Sequence, residues 1–104
     1  MNDIMDNRDI EITRKCIREG TQREGDSCPI AIACKQEGIE NIQVNIGSIW
    51  IGPNDNSERT HQLKTDFFVS NWIDIFDAIN DGVPFTLNLN FEQKTAKRIV
   101  EGEE

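Results

Sequence analysis

The chain has 104 residues, of which 37% are hydrophobic and 29% are charged, and its formal net charge is −8. A single domain of this length buries one hydrophobic core without a metal or a disulfide. The negative charge repels nucleic-acid phosphates, so direct binding of nucleic acid is disfavoured and a partner protein with a basic surface is favoured.

The cellular compartment can be predicted from the three cysteines and from the length of the apolar runs. An odd number of cysteines argues against a closed disulfide framework. The first eleven residues are acidic and polar, unlike a signal peptide, and no apolar run approaches the roughly 20 residues that cross a bilayer. We therefore expect a cytoplasmic protein with reduced thiols and no membrane association.

The N-terminal residues divide into an arm, a strand and a helix. Residues 1–9 are polar and are predicted to form a flexible arm. Ile10 and Ile12 alternate with charged residues, which predicts a short strand. Thr13 can cap a short helix that ends at Gly20.

A second helix is predicted directly after Cys28. Pro29 suits the first helical turn, and Gly38 suits the left-handed position just past the helix end. Ile30 and Cys34 share one face of this helix, which is largely apolar and should be buried.

Residues 41–52 alternate between aliphatic and other side chains, but the phase changes at Gly47. A two-residue hairpin at Gly47-Ser48 with a type II′ turn removes this conflict. It would pair Ile46 with Ile49 and Val44 with Ile51. A β-bulge at Gly47 is the alternative.

The strongest helix signal covers residues 66–80, after a short strand at residues 61–64. Thr65 or Asp66 can cap its start, and Asn80-Asp81-Gly82 can end it. The apolar stripe expected to be buried comprises Phe68, Trp72, Ile75, Phe76 and Ile79, widened by Val69 and Ile73.

The C-terminal part begins with an alternating strand over residues 85–91 and continues into a charged tail. The single domain is predicted to span residues 10–92, and the tail at residues 93–104 to be partly helical. The fold class is α+β with two layers: a mainly antiparallel sheet of four or five strands with two helices packed on one face.

The residues that could carry thiol or metal chemistry are Cys16, Cys28, Cys34 and His61. Structural zinc sites use ligands paired two to four residues apart, and no such pair occurs, so no metal is predicted. Cys28 precedes a helix, where backbone N–H groups favour a thiolate. A thiol- or metal-dependent role for Cys28 is therefore one alternative function. No catalytic residue and no cofactor are predicted.

Charged residues and one tryptophan supply candidates for contact with a macromolecule. Acidic and amide side chains lie together on the long predicted helix and form a candidate partner-binding patch: Asn71, Asp74, Asp77 and Asp81. Trp50 should lie on the sheet face opposite the aliphatic residues, where it either suits a protein interface or is covered by the N- or C-terminal segment. A basic cluster could form a nucleic-acid-binding module, the other alternative: Arg14, Lys15, Arg18 and Arg23.

Three segments together resemble small uncharacterised proteins of bacteriophages and mobile elements. They are Cys28-Pro29-Ile30-Ala31-Ile32-Ala33, the Val-x-Ile-Gly segment at 44–47, and Trp72-Ile73-Asp74-Ile75-Phe76-Asp77 followed by Pro84-Phe85-Thr86-Leu87. The resemblance covers about residues 10–91. The chain departs from the pattern at Asp66, where a proline that opens the helix would be expected.

The resemblance implies a phage-type accessory protein that binds and inhibits a host protein complex. An anti-CRISPR-like inhibitor of a host defence system is the role we predict, with a component of a CRISPR–Cas system as one such partner. Its location would then be the cytoplasm of the host cell.

Overall fold

The computed structural model describes residues 7–53 and 58–99. The strands in chain order are β1 (Arg8–Ile12), β2 (Ile42–Val44), β3 (Ser48–Ile51), β4 (His61–Thr65), β5 (Phe85–Asn90) and β6 (Thr95–Ile99). The helices are α1 (Arg14–Glu19), α2 (Pro29–Gln36) and α3 (Phe67–Ile79).

The six strands form one sheet in the order β1-β5-β6-β4-β3-β2. Every neighbouring pair is antiparallel except β4 and β6, which are parallel. The predicted α+β class and the mainly antiparallel sheet are therefore confirmed. The predicted two-layer arrangement of four or five strands and two helices is not confirmed, since the described residues contain six strands and three helices.

The prediction of a partly helical C-terminal tail is wrong for residues 95–99. These residues form β6, which pairs with five residues of β5 and two of β4. Ala96 is the one buried side chain of β6, so the strand has little apolar alternation of its own. Its neighbours recruit it into the sheet, and tertiary pairing overrides the weak local pattern.

The predicted N-terminal arm is shorter than residues 1–9, because β1 begins at Arg8. Arg8 and Asp9 pair with Leu89 and Asn88 of β5. Residues 1–6 of the predicted arm lie outside the described residues, as do residues 100–104 of the predicted tail.

The predicted helix ends are confirmed by their caps. The Thr13 hydroxyl accepts a hydrogen bond from the Cys16 N–H at 3.2 Å. The carboxylate of Asp66 caps α3 by accepting from the Val69 N–H at 2.9 Å. Gly38 follows α2 with a φ of 93°, and Asn80 ends α3 in the left-handed conformation.

The hairpin of β2 and β3 exists, but its register is two residues away from the prediction. Val44 pairs with Ile49, and the Asn45 N–H donates to the Ser48 carbonyl at 2.8 Å, so the turn is Ile46-Gly47. The φ of Gly47 is not positive, which rules out the type II′ turn. Thr65 of β4 holds the turn from the side, since its hydroxyl donates to the Ile46 carbonyl at 2.8 Å.

The strands bury alternate side chains, so one face of the sheet carries the core. Five aliphatic side chains on that face are 1% exposed or less in β1, β3 and β4: Ile10, Ile12, Ile49, Ile51 and Leu63. The buried residues of all three helices belong to the same cluster. Among the described residues no helix is long and apolar enough to cross a membrane.

Candidate functional site

The buried face of α3 is offset from the stripe that the sequence predicts. The helix buries Val69, Trp72, Ile73 and Phe76. Ile75 and Ile79 were expected inside, but they are 43% and 64% exposed. The helix carries more apolar residues than the sheet can cover, and the surplus lies along one side of it.

Exposed Ile75 and Ile79, with half-buried Phe68 and exposed Val83 of the following loop, make an apolar surface that we call the α3 flank. Four of the five exposed large hydrophobic side chains of the described residues belong to α3 or to the loop after it. Phe67 is one of them, but it is the first residue of α3, lies on the outward side of the helix and is not part of the flank. Exposed apolar patches of this kind mark interaction surfaces.

Aromatic packing makes the base of the α3 flank rigid. Trp72 stacks on Phe76 with ring centroids 5.7 Å apart and meets Phe85 at 5.3 Å. Phe68 meets the ring of Phe85 edge-on at 5.2 Å. The guanidinium of Arg98 lies 4.1 Å from the centroid of Phe68, so a cation borders the flank at this end.

The loop after α3 closes against the same tryptophan. Its indole N–H donates to the Val83 carbonyl at 2.8 Å. A side chain at Gly82 would lie within 2.7 Å of the Trp72 ring, so glycine allows this close approach. A shallow cavity of about 160 Å³ results, lined by Phe68, Asn71, Trp72, Ile75 and Val83.

The structure separates the acidic residues proposed for partner binding. Asn71 and Asp74 lie exposed on the outward side of α3. Asp81 forms an ion pair with Arg14 at 3.2 Å and accepts from its own loop at Gly82. Asp77 is half-buried and accepts from the Arg23 N–H at 2.8 Å. Of the four residues, Asn71 and Asp74 adjoin the α3 flank, and their side chains make no hydrogen bond or ion pair with the described residues.

Trp50 does not share a surface with α3. It alternates with buried Ile49 and Ile51, so it projects from the other face of the sheet, as predicted. It is half-buried and lines a polar cavity of about 440 Å³ with Thr60, His61, Gln62 and Lys94. The predicted site residues therefore do not form one surface, since Trp50 lies on the opposite face of the sheet and the α3 residues are themselves divided.

The basic cluster is divided in the same way. Arg14, Lys15 and Arg18 lie exposed on α1, and Arg14 is partly neutralised by Asp81. Arg23 lies in the following loop with a φ of 60°. Arg23 lines a cleft on the side of α3 opposite the α3 flank.

This cleft has a volume of about 310 Å³ and lies between α3, the loop before α2 and the β2–β3 turn. We call it the Cys28 cleft. Its lining comprises Arg23, Glu24, Gly25, Cys28, Gln43, Val44, Asn45, Ile46, Ile73 and Asp77. The loop is fixed to the sheet edge, because the Val44 N–H donates to the Gly25 carbonyl at 2.8 Å.

The thiols do not favour nucleophilic chemistry. All three cysteines are free and buried. Burial raises the pKa of Cys28, although backbone N–H groups at the start of α2 act in the opposite direction. Burial also raises the pKa of Cys34. Within the part of the chain that the structure describes, no three His, Cys, Asp or Glu side chains are grouped to hold a metal ion.

Sequence reasoning missed the α3 flank and the Cys28 cleft. The signal for the flank was present, since eight large apolar residues on a helix of 13 are more than one buried face needs. The cleft had no such signal, because residues 23–28, 43–46 and 73–77 meet only through tertiary packing.

Comparisons of the chain with family models, curated proteins and solved structures find no match.

Proposed function

We propose that the protein acts by binding another protein, and that the α3 flank is its docking surface. The observation that carries this proposal is the concentration of exposed apolar side chains on one side of α3, over a rigid aromatic base. Interfaces have such an apolar centre surrounded by polar residues. Asn71 and Asp74 supply the polar border on the outward side of the helix.

The partner that fits this surface has apolar side chains bordered by cations. The chain has a net charge of −8, and Asp74 adds a carboxylate next to the flank. Complementary charge increases the rate of encounter and selects among partners, whereas the apolar contact supplies most of the affinity. This extends the predicted acidic and aromatic surface by naming its apolar part.

The narrower proposal is that the partner is a host defence complex, so that the chain is an anti-CRISPR-like inhibitor in the host cytoplasm. Its support is the resemblance of residues 10–91 to small phage proteins, together with the acidic charge. An interference assay in cells that carry an active defence system tests this role. A chain that changes neither interference nor the activity of the purified complex does not have it.

The docking surface is tested by neutral substitutions, which leave the charge unchanged. The chain is used to capture proteins from host lysate, and the captured protein is then purified and titrated. Ile75→Ser with Ile79→Ser should weaken this binding by about tenfold or more, since each loses an apolar contact. Circular dichroism should show an unchanged fold, because both side chains are largely outside the core.

The matched control is Phe67→Ser, which removes the most exposed apolar side chain, at 86%. If binding were adsorption to any apolar surface, this change would weaken it most. We expect less than about a twofold effect. Equal losses in the control and the double variant, or no stoichiometric partner at all, would contradict the proposal.

Two alternative functions, a thiol or metal role for Cys28 and a nucleic-acid-binding module, are tested separately. One bound zinc per chain, or a Cys28 thiol that titrates below its ordinary pKa, would favour the thiol or metal role. A gel shift at moderate salt that disappears when Arg14, Lys15 and Arg18 are replaced would favour a nucleic-acid module.

A further inference from the structure

We propose that the Cys28 cleft binds the guanidinium group of an arginine side chain from the partner protein. This inference rests on the proposed function for the source of the arginine, but the cleft is distinct from the α3 flank. The two features lie on opposite sides of α3, so each can be altered without the other.

The acceptors in the cleft fit a planar cation with several N–H groups. Asp77 uses Oδ1 for the Arg23 N–H, and its Oδ2 has no hydrogen bond among the described residues. The side-chain amides of Gln43 and Asn45 likewise have no hydrogen bond within that part of the chain. The cleft is thus lined by the carboxylates of Asp77 and Glu24 and by the side-chain amides of Gln43 and Asn45. A guanidinium offers five N–H donors in a fixed plane to such groups.

The walls and the size of the cleft fit the rest of an arginine side chain. Val44, Ile46 and Ile73 supply apolar contacts for its methylene stem, and Ile46 is 48% exposed at the mouth. A cavity of about 310 Å³ is at the low end of the range for small-molecule sites, so it suits one inserted side chain.

The local field also favours a cation. Burial is the largest cause that raises the pKa of the Cys28 thiol, and the negative charge of Asp77 contributes to the same shift. The negative charge of Asp77 therefore acts on the Cys28 thiol at the floor of the cleft. Arg23 borders the cleft and is exposed, so its own cation competes with an incoming one.

The test uses the full chain and a small probe, N-acetyl-arginine N-methylamide. The isosteric citrulline derivative is neutral and serves as the control ligand, and the lysine derivative tests whether a compact cation suffices. Binding is followed by NMR through the side-chain amide signals of Gln43 and Asn45. We expect the arginine probe to shift both signals and the other two compounds to shift them much less.

A second readout is the thiol at the floor of the cleft. Cys28 is 7% exposed, whereas Cys16 and Cys34 are fully buried, so a small reagent that transfers a methylthio group and forms a mixed disulfide should reach Cys28 first. The arginine probe should slow this reaction, and the citrulline probe should not. Mass spectrometry of the modified peptides measures the rate at each cysteine separately.

Three substitutions are expected to change the affinity for the arginine probe in different directions or by different amounts. Asp77→Asn keeps an acceptor for the Arg23 N–H and should weaken the arginine probe by about five- to tenfold. Asp74→Asn removes the same charge from the outward side of the same helix and should weaken it by less than about twofold. Arg23→Asn removes the competing cation, suits the left-handed backbone, and should strengthen binding by about two- to threefold.

The two proposals fail separately. Equal shifts with the arginine and citrulline probes, or equal effects of Asp77→Asn and Asp74→Asn, would overturn the arginine site whatever the partner does. Equal binding of the lysine probe would overturn the guanidinium preference. The flank variant with Ile75→Ser and Ile79→Ser should leave probe binding unchanged, so loss of partner binding in that variant concerns the proposed function alone.

Discussion

Cys34 shows at the scale of one residue how burial links the thiols to stability. Its thiol is fully buried, and desolvation of the thiolate is the main reason that its pKa is raised from the ordinary value of 9.0. In the unfolded chain the same thiol ionises near that ordinary value. A raised pKa in the folded state therefore contributes stability that is complete below about pH 9 and is lost as the pH rises above it.

The corresponding prediction is a loss of stability at alkaline pH. Above about pH 9, Cys34 should lower the free energy of unfolding by about 1.4 kcal/mol per pH unit. Urea denaturation of the wild type and of Cys34→Ala, measured at several pH values between about 7 and 10.5, should give a shallower slope for the variant. Parallel slopes would show that the thiol ionises equally in both states. Cys34→Ala also loses a buried contact, which changes the height of the curve but not its slope.

At the scale of secondary structure, β6 holds the two halves of the sheet together. Its antiparallel pairing with β5 covers five residues, and its parallel pairing with β4 covers Lys64 and Thr65. The Asp66 N–H donates to the Ala96 carbonyl at 3.1 Å, so the start of α3 is bound to this strand as well. Without β6, both β4 and β5 would have unpaired inner edges.

Truncation distinguishes this arrangement from a dispensable tail. A chain that stops after Gln93 should fail to fold, because the pairing partner of both inner strands is missing. A chain that stops after Ile99 keeps every β6 pairing of the described residues and should remain folded. Near-ultraviolet circular dichroism and thermal unfolding provide the measurement. Cooperative unfolding of the shorter chain would show that β6 is not needed.

The elements differ in how far the sequence predicts them, for reasons that particular residues explain. Capping residues such as Thr13 and Asp66 specify helix ends locally, and those predictions are confirmed. The hairpin register depends on the side chain of Thr65, which belongs to another strand, so local alternation misplaces it by two residues. Strand β6 has one buried side chain, and the Cys28 cleft joins distant segments, so neither had a local signal.

Over the whole molecule, the acidic residues are distributed unevenly along the chain. Six of the 19 acidic residues and none of the 11 lysines and arginines lie in residues 1–6, 54–57 and 100–104. The described residues therefore contain 13 acidic and 11 basic side chains. The net charge that would attract a basic partner comes mostly from sequence outside the docking surface.

Charge and contact should therefore act on different rates of partner binding. Replacing Glu101, Glu103 and Glu104 with Gln should slow association about threefold at low salt and leave dissociation unchanged. Added salt should reduce this difference, because it screens long-range attraction between charges. Surface plasmon resonance measures both rates. For comparison, the flank variant with Ile75→Ser and Ile79→Ser should show faster dissociation instead of slower association. An effect of the glutamine variant on dissociation would place those glutamates within the contact itself.

The strand order also has a consequence for the order of events during synthesis on the ribosome. Strands β2, β3 and β4 are consecutive neighbours, so residues 42–65 can pair as soon as they emerge. Strand β1 is made first, but its partner β5 begins at Phe85, and the parallel partner of β4 emerges later still. Contacts between such distant segments close slowly. Strand β1 is thus held without its neighbour until β5 has been translated.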